Sequence, residues 1–444
     1  MRNKIYDIGR LMISLALVIF YFNPVISGQE GKLIYIKAKK IYTCDENQVI
    51  HHGGLLIQDG KFLLVDKKGK PPKEAEVVDW SEKIIIPCLI DSHCSTGFHE
   101  KDFTVKTTPS ESDYAKSSRS SMYAMLRQTK SRPLKVEVRT NAGHAILHND
   151  QRIRDLLTAG ITMAKIALPC EGLTGGISVC VNPAADSPDE FIIKEEAGME
   201  FSLSSSENVA NKYGDLREIF WDAQKYRRNF QKYEKDLKKY QEEMDKKTLS
   251  GEKEETPPQE PEEPRKDENK ELILKVLDRK IPAMIKASQI NEIEAALKIA
   301  EEFNLNLVLV GGEEAYRIAG QLASKGISVI AGPTVITKEK EETIFYIKEL
   351  LKQNVCVALG SHSNLSHVNF PFQLWKAYIE GISDIEALKM ATINAARILG
   401  VDNRTGSITR GKEANFLILS DKPFEPDSQI EKVYMKGKLV DSIR

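Results

Sequence analysis

Two side chains that could bind a metal ion stand close together early in the chain. Asp91 and His93 follow the apolar run at residues 84–87, in the stretch "CLIDSHCSTGFHE". Neutral imidazoles and carboxylates are common zinc ligands. Side chains alternate faces along a strand, so Asp91, His93 and Ser95 would share one face and Cys94 would point the other way. Ser95 stands where a second imidazole would complete the pattern, so the stretch predicts a working, a rearranged or a lost metal site.

Composition bounds the domain count and excludes one class of partner. The chain has 444 residues, 41% of them hydrophobic, and a formal net charge of −1. This length suits one large domain and a smaller one. Because positive and negative charges balance, no basic field points to nucleic acid as a partner. Most of the six cysteines lie in apolar segments, at irregular spacing and without a C-x-x-C motif, and are expected to be buried thiols.

The N-terminus has the pattern of an export signal. Three basic residues among the first ten precede the apolar run "LMISLALVIFYF", and the small residues Ser27 and Gly28 follow. The run is shorter than the roughly 20 residues that a membrane-spanning helix needs. Residues 1–28 are therefore predicted to be a signal peptide for export, to the periplasm or out of the cell. An uncleaved signal would instead anchor the protein to a membrane.

Eight apolar segments alternate with helical segments in the middle of the chain. Strands that are apolar throughout are typical of a parallel sheet covered on both faces. Eight of them predict an α/β fold with a closed (β/α)8 TIM barrel at residues 84–404. The segments are "KIIIPCLIDSH", "TMAKIAL", "SVCVNP", "MEFSLS", "AMIKAS", "LNLVLVG", "ISVIAGP" and "VCVALGS".

Short strands and turns occupy both ends of the chain. Hairpin signals occur at Asp59-Gly60 and at Lys436-Gly437. Residues 29–83 and 405–444 are therefore predicted to form one small β-sandwich domain that is built from both chain ends.

An insertion at residues 214–270 interrupts the barrel. Apolar side chains recur at 3-4 spacing from Leu216 to Met244, which predicts a long helix. This stripe either packs along the barrel wall or provides a surface for self-association. The acidic, proline-rich stretch "SGEKEETPPQEPEEPRKDENK" that follows is expected to be a solvated, disordered linker.

Three stretches resemble motifs of the amidohydrolase superfamily, in its imidazolonepropionase-like branch. "IIIPCLIDSHCSTG" resembles the strand-one metal motif, "LGSHSN" the strand-eight motif, and "ALKMATINAARILGVDNRTGSITRGKEANFLIL" the C-terminal signature. The resemblance covers nearly all of residues 31–444 outside the insertion. It implies the metal-dependent hydrolase fold and metal-assisted hydrolysis of C–N bonds in non-peptide amides or cyclic amides.

The resemblance also implies that most metal-site positions carry other residues here. His93 matches the first strand-one ligand, but Ser95, Lys286 and Gly311 stand where three further histidines are expected. His362 stands where the family has its catalytic aspartate. Serine is a poor zinc ligand, glycine offers no ligand, and a lysine puts an ammonium group where a cation would bind. A catalytic zinc normally has three protein ligands, and one retained histidine does not hold it.

These departures predict a pseudoenzyme without a metal cofactor. The barrel would then be kept for binding a small molecule at its mouth. It could also be kept for assembly, as a homo-oligomer or as a heteromer with an active amidohydrolase.

Alternatives stay open. A hydrolase could use zinc in a reduced or relocated site where His93 and His362 act together, joined by the loop residues His99 and His367. Lys286 could act as a nucleophile or base if burial lowers its pKa.

A carboxylate partner for Lys286 is the alternative to a catalytic role, and Asp91 is the candidate. His144 and His148, at i,i+4 spacing near the start of a predicted helix, could bind a metal or be ordinary helix-start residues. A scaffold protein that assembles through the helix at 214–244 is a further hypothesis.

Overall fold

The structure is a computed structural model. It describes residues 32–45, 49–67, 70–98, 104–107, 130–133, 140–169, 172–204, 209–250, 259–332, 337–339 and 342–440. The predicted signal peptide lies outside the described residues.

The strands fall into a sheet domain, a barrel and two small two-stranded sheets. Their bounds are β1 Ile34–Tyr42, β2 Val49–Gln58, β3 Lys61–Asp66, β4 Glu76–Pro87, β5 Leu89–Cys94, β6 Thr104–Thr107, β7 Lys130–Pro133, β8 Ile161–Ile166, β9 Thr174–Val181, β10 Ile192–Ser202, β11 Ala283–Ala287, β12 Leu307–Gly311, β13 Ser328–Ala331, β14 Thr337–Glu339, β15 Glu342–Ile344, β16 Val357–Leu359, β17 Phe416–Leu419, β18 Ile430–Met435 and β19 Lys438–Leu439.

The α-helices lie between the barrel strands and after the last of them. Their bounds are α1 Gln151–Arg154, α2 Pro188–Phe191, α3 Val209–Ser250, α4 Glu268–Leu277, α5 Ile290–Phe303, α6 Ala319–Ser324, α7 Tyr346–Lys352, α8 Ser366–Ile379, α9 Asp384–Met390 and α10 Ile393–Leu399. Short 3-10 helices cover Ala142–Ala145, Asp155–Ala159 and Ala315–Ile318.

Both ends of the chain join in one seven-stranded sheet. Its hydrogen-bonded order is β19-β18-β17-β4-β1-β2-β3. The two chain ends also meet beyond the ladder, since the Phe62 N–H donates to the Lys412 carbonyl at 3.0 Å and the Phe62 and Phe416 rings lie 6.1 Å apart. A separate apolar core that includes these two rings fills the interior of this domain.

The other large sheet is the predicted barrel. Its eight strands have the order β16-β13-β12-β11-β10-β9-β8-β5. The first and last strands are joined where the His362 N–H donates to the His93 carbonyl at 2.8 Å and the Ser95 N–H donates to the Ser363 carbonyl at 3.1 Å. The TIM-barrel prediction is confirmed, and each of the eight predicted segments overlaps one barrel strand. The segment "KIIIPCLIDSH" is split, because its first half ends β4 of the sheet domain and its second half is β5.

One barrel strand runs against the others. β9 pairs antiparallel with both β8 and β10, whereas the remaining neighbours pair parallel. The prediction of an all-parallel sheet is therefore wrong for β9. The connections explain the reversal: residues 167–173 and 182–191 are each shorter than the dozen or more residues that a parallel crossover requires.

Apolar side chains close the barrel interior below the mouth. Ile90, Met163, Met284 and Val308 belong to one buried cluster inside the barrel. Charged and imidazole side chains stand two or three residues further along three of these strands, toward the open end. The interior therefore changes from apolar to charged along the strand direction, and the charged end is where barrel enzymes place their sites.

The insertion begins with α3, the predicted long helix. Leu216, Phe220 and Ala223 are fully buried on its barrel-facing side, and the Tyr226 hydroxyl donates to Glu271 of α4 at 2.6 Å. The first half of the apolar stripe therefore packs along the barrel, which was one of the two interpretations. The second half, from Phe230 onward, is partly or fully exposed up to residue 246.

No helix in the described ranges is long and apolar enough to span a membrane. Five cysteines lie in the described residues, and all five are free thiols. Four of them are buried (Cys44, Cys88, Cys94 and Cys180), and Cys356 is partly buried.

Candidate functional site

His93 enters the barrel from β5. Its side chain is 19% exposed, and its Nε2 lies 3.6 Å from Glu200 Oε2. The register of β5 against β8 shifts between Asp91 and Cys94, so regular alternation is interrupted there. Cys94 is fully buried in the cluster outside the barrel strands. His93 thus points into the barrel and Cys94 away from it.

Asp91 joins the first barrel strand to the last. Its buried carboxylate accepts hydrogen bonds from the Ser361 N–H at 3.0 Å, from the His93 N–H at 3.1 Å and from the Ser366 hydroxyl. Burial raises the pKa of Asp91, although these hydrogen bonds act to lower it. The predicted ion pair with Lys286 is not among the contacts of the described residues. The hydrogen bonds give Asp91 a positioning role at the closure of the barrel.

A buried ion pair occupies the centre of the barrel mouth. Lys165 of β8 is fully buried, and its Nζ donates to Glu200 Oε1 at 2.5 Å. Burial alone would raise the pKa of Glu200, but the Lys165 ammonium and His93 outweigh it and lower that pKa to about 2. Glu200 is therefore a carboxylate that is held between an ammonium group and an imidazole.

Sequence analysis missed both members of this pair. Each is a charged residue inside an apolar strand segment, Lys165 in "TMAKIAL" and Glu200 in "MEFSLS". Lys and Glu are almost never fully buried unless they are paired. Two opposite charges inside two apolar strand segments were the signal that could have found them.

His362 lies beside His93. It follows β16 with a left-handed φ of 50°, and its ring stacks on the His93 ring with centroids 4.5 Å apart. Burial lowers the pKa of both imidazoles, and so do the positive charges of Lys165 and Lys286. The pair is therefore held neutral.

The Lys286 side chain is exposed at the end of β11. Its ammonium group is close enough to depress the pKa of His93 and of His362. No ion pair or side-chain hydrogen bond of Lys286 occurs among the described residues. The mouth thus contains two lysine ammonium groups, one paired and one open to solvent.

Two other family positions offer no ligand. Gly311 has a φ of 96°, a conformation that side chains rarely adopt, and a Cβ there would lie 3.2 Å from Ser288 Oγ and 3.3 Å from Glu313 Oε2. A histidine at this position would be strained in this backbone. Ser95 is half-buried, and its N–H takes part in the barrel closure.

Several buried polar atoms at the mouth have no hydrogen-bond partner among the described residues. They include His93 Nδ1, His362 Nε2 and Glu313 Oε2. Buried polar atoms are normally hydrogen-bonded, and exceptions need an explanation such as an unseen ligand or water. A molecule bound at the mouth would supply such partners.

The residues of this site do not fit a divalent ion. No group of three or more histidine, cysteine, aspartate or glutamate side chains in the described part of the chain could hold one. Glu200 is the carboxylate that faces the His93 ring, at 3.6 Å from Nε2, and the Lys165 ammonium already occupies its other oxygen at 2.5 Å. A second ammonium group, on Lys286, adds to the repulsion of a cation.

The other candidate histidines that the structure describes do not join the pair at the mouth. His367 lines a groove of about 750 Å³ beside α8, together with Trp375 and Phe424. His99 lies outside the described residues. His144 is in a 3-10 helix and His148 in a turn, so both precede α1 and do not share one helix. His148 instead lies edge-on to the Phe191 ring, with centroids 6.5 Å apart.

Comparison with known proteins agrees with the fold and the motifs. The model of the Amidohydrolase family matches residues 289–440. A solved amidohydrolase structure from Thermotoga maritima is 24% identical and superposes with a TM-score of 0.68 over 92% of this chain and 99% of that one. An imidazolonepropionase from Streptococcus pyogenes is 25% identical over 187 residues. The family model, the partial relatives and the shared fold together support the assignment of the chain to the amidohydrolase superfamily. The resemblance inferred from the sequence motifs is thereby confirmed.

The chain spans less than half the length of the curated relatives it matches. The imidazolonepropionase match covers 39% of this chain and 43% of the relative. A 5-methylthioadenosine/S-adenosylhomocysteine deaminase from Thermoanaerobacter pseudethanolicus is 33% identical over 120 residues, which is 21% of this chain and 28% of that enzyme. The matches therefore support the superfamily assignment and leave the activity to be argued from the site.

Proposed function

We propose that this amidohydrolase-superfamily protein binds a small molecule at the barrel mouth without a divalent ion. By its superfamily it belongs among hydrolases of C–N bonds, and the metal-assisted form of that chemistry is lost. One observation carries the proposal: the buried Lys165 ammonium, at 2.5 Å, holds the carboxylate that a metal would need.

The energetics favour the ion pair over a metal. Breaking a buried pair so that one charge is left alone costs about 3–5 kcal/mol. Metal binding would have to offset the free energy of breaking the pair. The metal ion would also be repelled by two ammonium groups. The two imidazoles alone fall short of the three protein ligands of a usual catalytic zinc site.

The test is thermal unfolding with excess zinc and with a chelator. An ion that binds only the folded state stabilises it by about 2.7 kcal/mol at a hundred times its dissociation constant. We expect the same midpoint in both conditions, for the wild type and for His93→Ala. A zinc-dependent rise in the wild type that His93→Ala removes would contradict the proposal.

Metal-free hydrolysis of a C–N bond is the second candidate function. It is favoured by the contact of His93 with Glu200, since a carboxylate orients an imidazole for proton transfer. Neutral imidazoles at the mouth are in the form that accepts a proton from water. The candidate predicts chelator-resistant turnover of amides or cyclic amides that His93→Ala and His362→Ala each abolish. Turnover that survives in His362→Ala would exclude it.

Export and assembly are further proposals. Export is supported by the basic and apolar pattern of residues 1–28, and comparing the N-terminus of secreted and cytoplasmic material would test it.

Assembly through α3 is supported by the apolar spacing of Tyr233, Leu237 and Tyr240, which are half-exposed. Deleting residues 214–270 would remove buried core residues, so the sharper test changes only these three side chains to glutamate and measures the mass in solution. A homo-oligomer that keeps its mass would count against assembly through α3.

A further inference from the structure

The open ammonium of Lys286 sets a requirement for the ligand. Lys165 is neutralised by Glu200, while Lys286 has no ion-pair partner among the described residues and is exposed at the end of β11. Asp91 does not serve as its partner, because its carboxylate accepts from Ser361, Ser366 and the backbone of His93. An unpaired ammonium inside a barrel mouth favours an anionic group on the bound molecule.

The surroundings indicate where that group would lie. His93 and His362 stack beside each other and leave His93 Nδ1 and His362 Nε2 buried without partners. Gly360 lets the rings approach, since a Cβ there would lie 3.1 Å from His362 Nε2. Lys286 Nζ and, in the tautomer protonated there, His362 Nε2 can donate hydrogen bonds to one oxyanion, whereas a neutral His93 whose Nε2–H faces Glu200 presents Nδ1 as an acceptor for an N–H group. Hydrogen bonds to charged groups are the stronger kind.

Glu313 argues against a ligand that carries only negative charge. It follows β12, the neighbour of the Lys286 strand, and its Oε2 is buried without a partner. A carboxylate needs a donor such as an N–H. A ligand that joins an acidic group to an amide or amine N–H would satisfy Lys286 and Glu313 together.

We propose that the barrel mouth binds a small molecule that carries a carboxylate and an N–H group, with the carboxylate held by Lys286 at a position where the superfamily has a metal ligand. This inference rests on the proposed function, because a divalent ion at the mouth would itself hold the anionic group. It specifies the class of ligand, which the superfamily resemblance does not.

The experiment titrates the full-length protein with N-acetylglycine and follows the imidazole NMR signals of His93 and His362. N-acetylglycinamide has the same amide without the carboxylate, and inorganic phosphate is an oxyanion without an N–H group. We expect N-acetylglycine to shift both imidazole signals, and the other two compounds to bind at least about tenfold more weakly, the factor that one lost charged hydrogen bond accounts for.

Variants locate the site. Lys286→Met keeps the length of the side chain and removes its charge, so it should weaken N-acetylglycine binding by about tenfold or more. Lys286→Arg should retain most of the binding. Lys298→Met is the matched control, since Lys298 is an exposed lysine on α5 of the same barrel, and it should bind as the wild type does.

Each result has a defined meaning. Lack of binding by N-acetylglycine, equal binding of the amide or of phosphate, or an unchanged affinity in Lys286→Met would overturn the inference. The metal content of the same samples separates the two proposals. Metal-free protein that does not bind the carboxylate refutes this inference alone, whereas metal-loaded protein refutes the proposed function as well.

Discussion

Replacing Lys165 by methionine tests the buried ion pair directly. The side chains of Lys165 and Glu200 are 0% and 9% exposed, so removal of the ammonium leaves a carboxylate that water cannot solvate. Loss of one partner of a buried pair costs about 3–5 kcal/mol. The pKa of Glu200, lowered to about 2, leads to a similar value. About two pKa units below the usual glutamate value correspond to roughly 3 kcal/mol.

The same variant predicts a change in pH dependence. In the wild type, the folded-state pKa of Glu200 lies below the unfolded value. Its contribution to stability is therefore present above about pH 4.3 and is lost as the pH falls toward 2. In Lys165→Met, the ammonium that lowers the pKa of Glu200 is gone, so burial raises that pKa. The destabilisation relative to the wild type should therefore be largest near neutral pH and should shrink as the pH falls from 6 to 3.

The assay is chemical denaturation followed by circular dichroism. The control is the double variant Lys165→Met/Glu200→Leu, which removes both charges and should recover most of the lost stability, since apolar replacements of buried pairs are often neutral or stabilising. A single variant within about 1 kcal/mol of the wild type, or a double variant as unstable as the sum of the two single ones, would refute the reasoning.

Three further predictions concern the same barrel and its insertion. Asp91→Ala should lower the free energy of unfolding by about 2–3 kcal/mol, because the buried Ser361 N–H and the Ser366 hydroxyl would lose their acceptor, and denaturation at pH 7 measures this. Gly360→Ala should cost about 1–3 kcal/mol and shift the NMR signals of both stacked rings, since its methyl would lie 2.9 Å from His93 Cβ and 3.1 Å from His362 Nε2; unchanged signals would contradict the stacked geometry. Gly214→Ala, with nothing within 4 Å of the added carbon, should instead stabilise α3 by about 0.5–1 kcal/mol, seen as a higher denaturation midpoint.

Sequence patterns located the barrel because burial on both faces leaves a clear mark. Apolar runs such as "LNLVLVG" contain the strands that form it, and the motif resemblance placed His93 and His362 at the ends of β5 and β16, where their rings meet. The hydrophobic pattern of a buried strand does not indicate whether the strand runs parallel or antiparallel to its neighbours. The short links on either side of β9 were the available signal, since neither can hold a crossover helix.

The centre of the site was predicted less well, because the site residues were sought only at the positions of the family motifs. Lys165 and Glu200 belong to no motif considered, and their pairing depends on two strands separated in sequence by β9. The partner of Asp91 was also misjudged. Alternation along β5 predicts an inward carboxylate, whereas the shift in register after Asp91 directs it to Ser361 and Ser366 at the barrel closure.

The metal content of the purified protein tests the central claim most directly. Protein prepared without chelators, from cells supplied with zinc, iron and manganese, would be analysed by mass spectrometry of the elements alongside Lys165→Met and His93→Ala. We predict well under one equivalent of any of these metals per chain in all three proteins. One equivalent in the wild type that disappears in His93→Ala would show that the barrel holds a metal ion despite the Lys165–Glu200 pair, and would contradict the account.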